Sequence, residues 1–296
     1  MKCGPEIPLV IEIASVQDRK KMECLLKEYR PDYLFHAAFH KHVPLMEHNP
    51  EEAVKNNVFG TWNLAELSQK WKVPHFVLIS TDKAVNPTSV MGATKRLSEM
   101  IVSYFSQQGK ASRFVTVRFG NVLASNGSVI PLFCRQVEMG GPVTVTHPQA
   151  ERYLMTIPEA VLLIMRSVML SKGGEIFVLD MGNPVKITEL AEAVIRSYGY
   201  TPGKEIELKF TGLRPGEKLT EQLSSEEEHC LATEDKKIFV SMGTSVEEDK
   251  LLKNLQELYQ VLENGNRDSV LHKLGQAVPE FCHDAHKAQR FKEECS

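Results

Sequence analysis

The chain has 296 residues, 42% of them hydrophobic and 25% charged, which suits one large or two smaller globular domains. A net charge of −3 leaves no polycationic footprint for nucleic acid, and no apolar run approaches the ~18 residues of a membrane-spanning helix. Six cysteines (Cys3, Cys24, Cys134, Cys230, Cys282, Cys295) form no C-x-x-C pair, so a zinc site and a disulfide framework are not expected, and a reducing, cytoplasmic setting fits.

In chain order, Ile7–Ile13 reads as a strand. A helix follows over about Asp18 to Glu28, with Met22, Leu25 and Leu26 on one face and Pro31 as its stop. Asp32–Ala38 reads as a second strand whose small C-terminal residues let a planar ligand approach the backbone. His36, His40, His42 and His48 match no metal-ligand spacing and have no carboxylates grouped with them, so no metal is expected. Asn49-Pro50 opens a helix to about Lys72, with Gly60 where two elements pack closely.

The apolar, β-branched run His75–Ile79 reads as a buried parallel strand. Ser80, Thr81, Asp82 and Lys83 follow at its C-terminal end, where open parallel sheets bind ligands. Asn86-Pro87 breaks the chain. A helix from Ser89 to about Gln108 then carries Met91 and Lys95 on one face, and Gly109 ends it. Ser112–Phe119 is the next strand. Strands alternating with helices at this spacing predict βαβ units, hence a parallel sheet with helices on both faces.

Past Gly120 the texture changes. A loop-rich stretch to Pro131 precedes a short strand at 142–146, an apolar helix Ile157–Leu170, a strand Glu175–Asp180, an amphipathic helix Ile187–Tyr198 and a run Ile206–Phe210. This half reads as a smaller α/β lid over the sheet. Two polar amphipathic helices follow from about Ser245, and the charged end from His283 is expected to fray.

Several motifs now stand in a fixed order: His36-Ala-Ala-Phe-His-Lys-His-Val-Pro-Leu-Met46, Asn57-Val-Phe-Gly-Thr61, Ser80-Thr-Asp-Lys83, Met91-Gly-Ala-Thr-Lys95, Arg118-Phe-Gly-Asn-Val122, Gly127-Ser-Val-Ile-Pro131, Thr156-Ile-Pro-Glu-Ala160 and Arg214-Pro-Gly-Glu-Lys-Leu219. Over about residues 7 to 281 the chain resembles the UDP-N-acetylglucosamine 4,6-dehydratases, the CapD-like polysaccharide-biosynthesis branch of the extended short-chain dehydrogenases/reductases. The resemblance implies a Rossmann-like doubly wound sheet and a substrate-binding lid. It implies NAD or NADP as cofactor, NAD being favoured, and a UDP-N-acetylhexosamine as substrate. It also implies a reaction in which C4 is oxidised, water is lost across C5 and C6, and the hydride returns to C6.

Carried over by position, Lys95 would hold the nicotinamide ribose and lower nearby pKa values. Thr81 would hydrogen-bond the sugar 4-hydroxyl, Asp82 would protonate the departing 6-hydroxyl, and Lys83 would be the base for H5. Met91 stands where most short-chain dehydrogenases carry tyrosine; a thioether cannot shuttle a proton, so Lys83 is assigned the 4-hydroxyl proton as well. Ser15 and Val16 would lie near adenine. His36, Ala37, Ala38, Asn57, Ser80 and Phe119 would border the cofactor. Asn121, Ser128, Arg152, Arg214 and Glu217 would contact the UDP-sugar, Arg214 suiting a diphosphate through its planar fork of donors. Phe39 stands where relatives usually have alanine.

The family's Gly-rich turn G-x-x-G-x-x-G occurs nowhere in the 296 residues. The expected fold is therefore a truncated NAD(P)-binding domain over 1–122, lacking its first two strands, then a mainly substrate-binding lid over 123–281 and a charged tail over 282–296. The strand Ile7–Ile13 would stand about 14 Å, three strand positions, from Asp32–Ala37. Weak NAD(P) binding and aggregation through an exposed edge are expected. A homo-oligomer, or a separate chain supplying the Gly-rich half, are the expected partners. A UDP-sugar epimerase and a non-catalytic remnant or binding subunit are the alternatives.

Overall fold

The computed structural model describes residues 8–109, 112–123, 127–225, 228–242, 246–264 and 266–283. Ile7, the cysteines Cys3 and Cys295, and the tail from residue 284 lie outside that range.

Helix α1 (Arg19–Tyr29) starts where the Asp18 carboxylate accepts from the Lys21 N–H at 3.0 Å. Strand β1 is Tyr33–His36. Helices α2 (Val43–His48) and α3 (Pro50–Ala53) lead through a π-helical turn, Val54–Phe59, into α4 (Gly60–Lys70). Strand β2 (His75–Thr81) passes into a 3-10 turn, Asp82–Ala84, and then α5 (Val90–Gln107). After them come β3 (Arg113–Phe119), β4 (Asn121–Val122), α6 (Val129–Glu138), β5 (Val143–Val145), β6 (Glu151–Arg152), β7 (Leu154–Met155), α7 (Ile157–Leu170), β8 (Glu175–Leu179) and β9 (Val185–Lys186). The chain continues with α8 (Ile187–Ser197), β10 (Leu208–Phe210), β11 (Leu231–Ala232), β12 (Ile238–Met242), α9 (Glu248–Asn264) and α10 (Arg267–Ala277).

The central sheet has the order β1-β2-β3-β8-β12-β11. Strands β1, β2, β3 and β8 run parallel, and β12 and β11 add antiparallel at the far edge. Successive β2 side chains alternate between faces, as a pleated strand requires. Phe76 and Leu78 join one core with α1, α4, α5, α9 and α10, while Val77 joins a second core with α7. The sheet is thus buried on both faces, which is the doubly wound α/β architecture. A third, separate core lies between α6, β5 and α8.

Two expectations need correction. No described residue of the predicted strand Ile7–Ile13 pairs with another strand, and Leu9, Ile11 and Ile13 are 86, 81 and 96% exposed. An extended segment without a ladder neighbour leaves its N–H and C=O groups to water, so the apolar pattern alone does not make a strand. Within it, Glu12 accepts from Lys21 at 2.7 Å and Tyr29 at 3.2 Å. The second correction concerns Glu175–Leu179. It does not belong to the lid but extends the central sheet, with Val117 of β3 opposite Phe177. Since β8, β11 and β12 all come from beyond residue 122, the two predicted domains interleave. The lid reduces to the third core, with the parallel pair β5–β10 beside it.

Candidate active site

The C-terminal end of β2 delivers Thr81 opposite Phe119 of β3. The next three residues curl into a 3-10 turn, which aims Lys83 back across the strand end. The Lys83 ammonium donates to Asp82 Oδ1 at 2.9 Å and to Asn121 Oδ1 at 2.8 Å, and Glu221 Oε1 lies 3.6 Å away. Thr81 Oγ1 donates to the same Asp82 oxygen at 2.8 Å. Asp82 is fully buried, and its Oδ2 has no hydrogen-bond partner. Burial alone would pull the Lys83 pKa down, but the Asp82 and Glu221 carboxylates outweigh it and hold the ammonium above its ordinary value.

Ser89 caps α5, accepting from Gly92 N–H at 3.1 Å. At Gly92 the helix touches the turn so closely that a Cβ would stand 2.3 Å from the Lys83 carbonyl oxygen. This contact sets Met91 and Lys95 beside the reactive turn. Met91 is buried at the cavity wall.

Lys95 is buried without a carboxylate bonded to it. Its ammonium donates to the Ile79 carbonyl at 2.6 Å and sits 3.0 Å from the centroid of the Phe39 ring. Burial drives its pKa well below the ordinary lysine value, and Glu99 opposes this only in part. The Phe39 ring also lies against His36, with centroids 4.3 Å apart. His36 Nε2 pairs with Thr61 Oγ1 at 3.0 Å, and burial, then the Lys95 charge, push its pKa down to about 3. Behind the turn, Ser80 donates to Glu99 at 2.6 Å, and Glu99 forms a buried pair with Arg118.

The lid closes the other side. Asn121 is held by its N–H on the Tyr153 carbonyl at 3.0 Å. Arg152 donates to Glu217 Oε1 at 2.9 Å, and its Nε stands 3.9 Å from Glu221 Oε1. Gly216 has φ +73° and lets the loop seat on α5, where a Cβ would stand 2.7 Å from that of Ser89. The cleft has a volume of about 480 Å³, within the usual range for small-molecule sites.

That cavity gathers Ala37, Ser80, Thr81, Lys83, Met91, Lys95, Phe119, Asn121, Ser128, Arg152, Arg214 and Glu217 from the expected set. Asp82 lies directly beneath it, joined to Lys83. The Ser80 hydroxyl is turned to Glu99 rather than to the cavity. Asn57 stands behind the wall, accepting from His40 N–H at 2.9 Å and donating to Thr94 at 3.0 Å. His36 and Ala38 do not line the cavity either, and Ser15 and Val16 lie apart from it, Val16 packing on Gly60. Three residues were missed as functional groups. Glu221 follows Glu217 by four positions just past the Arg214–Leu219 motif, a proximity that could have marked it. Phe39 was noticed without a role. Glu99 follows Lys95 by one helical turn and could have been read as its neighbour.

A family model described as "Polysaccharide biosynthesis protein" matches residues 4–243. The probable polysaccharide biosynthesis protein EpsC of Bacillus subtilis (strain 168) is 52% identical over 262 residues, covering 88% of this chain and 43% of EpsC. A UDP-glucose 4-epimerase of Rickettsia felis is 40% identical over 205 residues, covering 68% of this chain and 58% of the epimerase. The chain thus spans under half the length of the first relative and under two thirds of the second. The X-ray structure of Pen from Bacillus thuringiensis superposes with a TM-score of 0.72 at 33% identity, covering 79% of this chain and 72% of Pen.

Proposed function

Because the chain belongs to the polysaccharide biosynthesis protein family of extended short-chain dehydrogenases/reductases, we propose that its cleft performs the 4,6-dehydration of a UDP-N-acetylhexosamine. The observation that carries this reading is the Thr81–Asp82–Lys83 cluster. It places a carboxylate and an ammonium side by side at one strand end, as a proton-transfer elimination needs.

The cavity fits the nicotinamide end of a dinucleotide. Ala37, Ile79 and Phe119 give it apolar walls, and the desolvated Lys95 ammonium has a carbonyl and a ring as neighbours but no bonded carboxylate. Lys95, Ala37 and Phe119 would hold the group there. When bound, NAD or NADP supplies the oxidation at C4 and the returning hydride at C6.

The chain's own residues handle the protons. Thr81 orients the 4-hydroxyl, whose proton passes to solvent in the cleft as C4 is oxidised. The Asp82–Lys83 ion pair exchanges the roles expected from sequence, because a lysine held cationic is a donor. Asp82 takes H5 as the C5–H bond breaks. Lys83 gives its proton to the 6-oxygen as the C6–O bond breaks, so the hydroxyl leaves as water. As C6 is reduced, Asp82 returns its proton to C5, and Lys83 is recharged from solvent, which took the 4-hydroxyl proton, so both groups are restored. Arg214 and Arg152 hold the UDP portion, with Asn121, Ser128 and Glu217 on the sugar.

The epimerase reading is favoured by the Rickettsia relative, but it leaves the Asp82–Lys83 pair, which an elimination employs, without a role. The two separate in deuterium oxide. Offered the UDP-4-keto-N-acetylhexosamine, the chain should exchange H5 for deuterium and release water with no cofactor added. Mass spectrometry that finds neither exchange nor loss of water from the ketone overturns the dehydratase reading.

A further inference from the structure

Among the described residues, Glu221 is the one charged side chain at the cavity that neither the motifs nor the proposed reaction employs. Its side chain is 3% exposed, and its Oε2 has no hydrogen-bond partner. A buried carboxylate oxygen with no hydrogen bond is costly to the fold. Such a cost persists where the charge serves something else. Its Oε1 faces two cations, Lys83 Nζ at 3.6 Å and Arg152 Nε at 3.9 Å. Arg152 in turn holds Glu217, whose other oxygen accepts from the Arg214 N–H at 3.2 Å. Glu221 therefore stands between the reactive turn on the sheet and the loop that carries Arg214.

We propose that Glu221 is a positioning residue for Lys83. With Asp82 it forms a two-carboxylate cradle that keeps the Lys83 ammonium charged and aimed at Asn121, and through Arg152 it couples that charge to the seating of the Arg214–Leu219 loop. This rests on the dehydratase reading for its consequence, but the charge relation itself is independent of any turnover. The raised Lys83 pKa, which burial opposes and both carboxylates favour, agrees with the geometry. A cradle of two carboxylates also keeps a counter-charge beside Lys83 after Asp82 has taken H5 and before Lys83 gives up its own proton. One counter-charge always remains.

The test is competitive acetylation of the chain with acetic anhydride across pH, read at Lys83 by mass spectrometry. Glu221→Gln keeps the shape and removes the charge. It should lower the apparent Lys83 pKa by about one unit or more, the usual effect of losing a nearby counter-charge. Adding Asn121→Asp in the Glu221→Gln background restores a carboxylate, because Asn121 Oδ1 already sits 2.8 Å from the ammonium. That double variant should return the titration to the wild-type value, which a merely structural role would not do. A Lys83 titration that is unchanged in Glu221→Gln, or unrescued in the double variant, overturns the proposal. Should Glu221→Gln not fold, Glu221→Asp gives the same readout, and a Lys83 value below wild type but above that of an unpaired buried lysine is expected. H5 exchange from the ketone, followed in parallel, separates the two claims. Exchange by the wild type with an unmoved Lys83 titration in Glu221→Gln sinks the cradle alone. No exchange by the wild type with a shifted titration sinks the dehydratase reading alone.

Discussion

Substituting Glu99→Gln tests whether the buried charges behind the reactive turn hold the fold. The Glu99 and Arg118 side chains are 1% and 0% exposed and meet through two contacts, Nη2–Oε2 at 2.8 Å and Nε–Oε1 at 3.1 Å. Ser80 donates to Glu99 at 2.6 Å, and Arg96 reaches it at 3.4 Å. Removing one member of a buried pair leaves the other charge uncompensated and typically costs about 3–5 kcal/mol. Arg118 keeps Glu228 at 2.7 Å, and glutamine keeps the volume and one carbonyl acceptor, so the lower end applies, about 3 kcal/mol. That is a loss of about 100-fold in the folding equilibrium. Urea unfolding followed by circular dichroism at neutral pH measures it. The pH dependence gives a second, independent check. Burial would raise the Glu99 pKa, but Arg118, Arg96 and the Ser80 hydroxyl outweigh it and hold the carboxyl below its ordinary value. A group depressed on folding stabilises above its unfolded pKa, about 4.3, and loses that contribution as pH falls through the folded value. The gap between wild type and Glu99→Gln should therefore stay constant from neutral pH to about 5.5 and close in acid. A neutral-pH difference under about 1 kcal/mol, or a gap that persists in acid, would refute the reasoning.

Three further outcomes are expected. Gly92→Ala puts a Cβ 2.3 Å from the Lys83 backbone oxygen, which cannot swing away as a side chain can, so it should cost about 1–3 kcal/mol in urea unfolding; a neutral result would mean the helix and turn are not in contact. Phe39→Ala uncovers the Lys95 ammonium and removes a cation–π contact worth about 0.5–2 kcal/mol, so calorimetry should find NAD(P) affinity raised about 3–30-fold; unchanged or weaker binding would show that the ring does not occupy the cofactor's place. His36, whose pKa falls from 6.5 to about 3 through burial and then the Lys95 charge, must stay neutral in the fold. The unfolded state binds the extra proton between those values, so stability should drop as pH falls below 6.5, with a slope approaching ~1.4 kcal/mol per pH unit. His36→Gln should flatten that limb of the urea midpoint against pH, and an unaltered limb would assign it elsewhere.

What the sequence displayed well was anything governed by short-range pattern. β2 reads as an apolar β-branched run, the start of α5 as a serine cap, and Thr81-Asp82-Lys83 as a polar cluster at a strand end, because each signal lies within a few adjacent residues. What it displayed poorly depended on partners far along the chain. The alternation in Leu9–Ile13 is that of a strand, yet hydrogen bonds to a neighbour make a strand, and none of its described residues has one. Glu175–Leu179 has the same texture whether it lies in a lid or beside β3. Only the return of the chain through α7 decides, and periodicity does not report it.

The same distinction separates the two ends of the cleft. The Asp82–Lys83 pair was legible as residue types, but its electrostatic setting was not, because the Lys83 ammonium faces Glu221, 138 positions away, as well as the adjacent Asp82. A lysine beside one aspartate in a sequence is compatible with either base or donor. A second carboxylate, Glu221, joins Asp82 in holding the Lys83 ammonium against burial, a support that Lys95 lacks, and this favours the donor role. In the proposed reaction the segment past Leu219 would therefore do more than cover substrate. With the Arg214 loop seated on α5, Glu221 stands 3.6 Å from the Lys83 ammonium and adds its charge to that of Asp82. The sheet would then carry the reacting groups, and the loop would set the charge state in which they react.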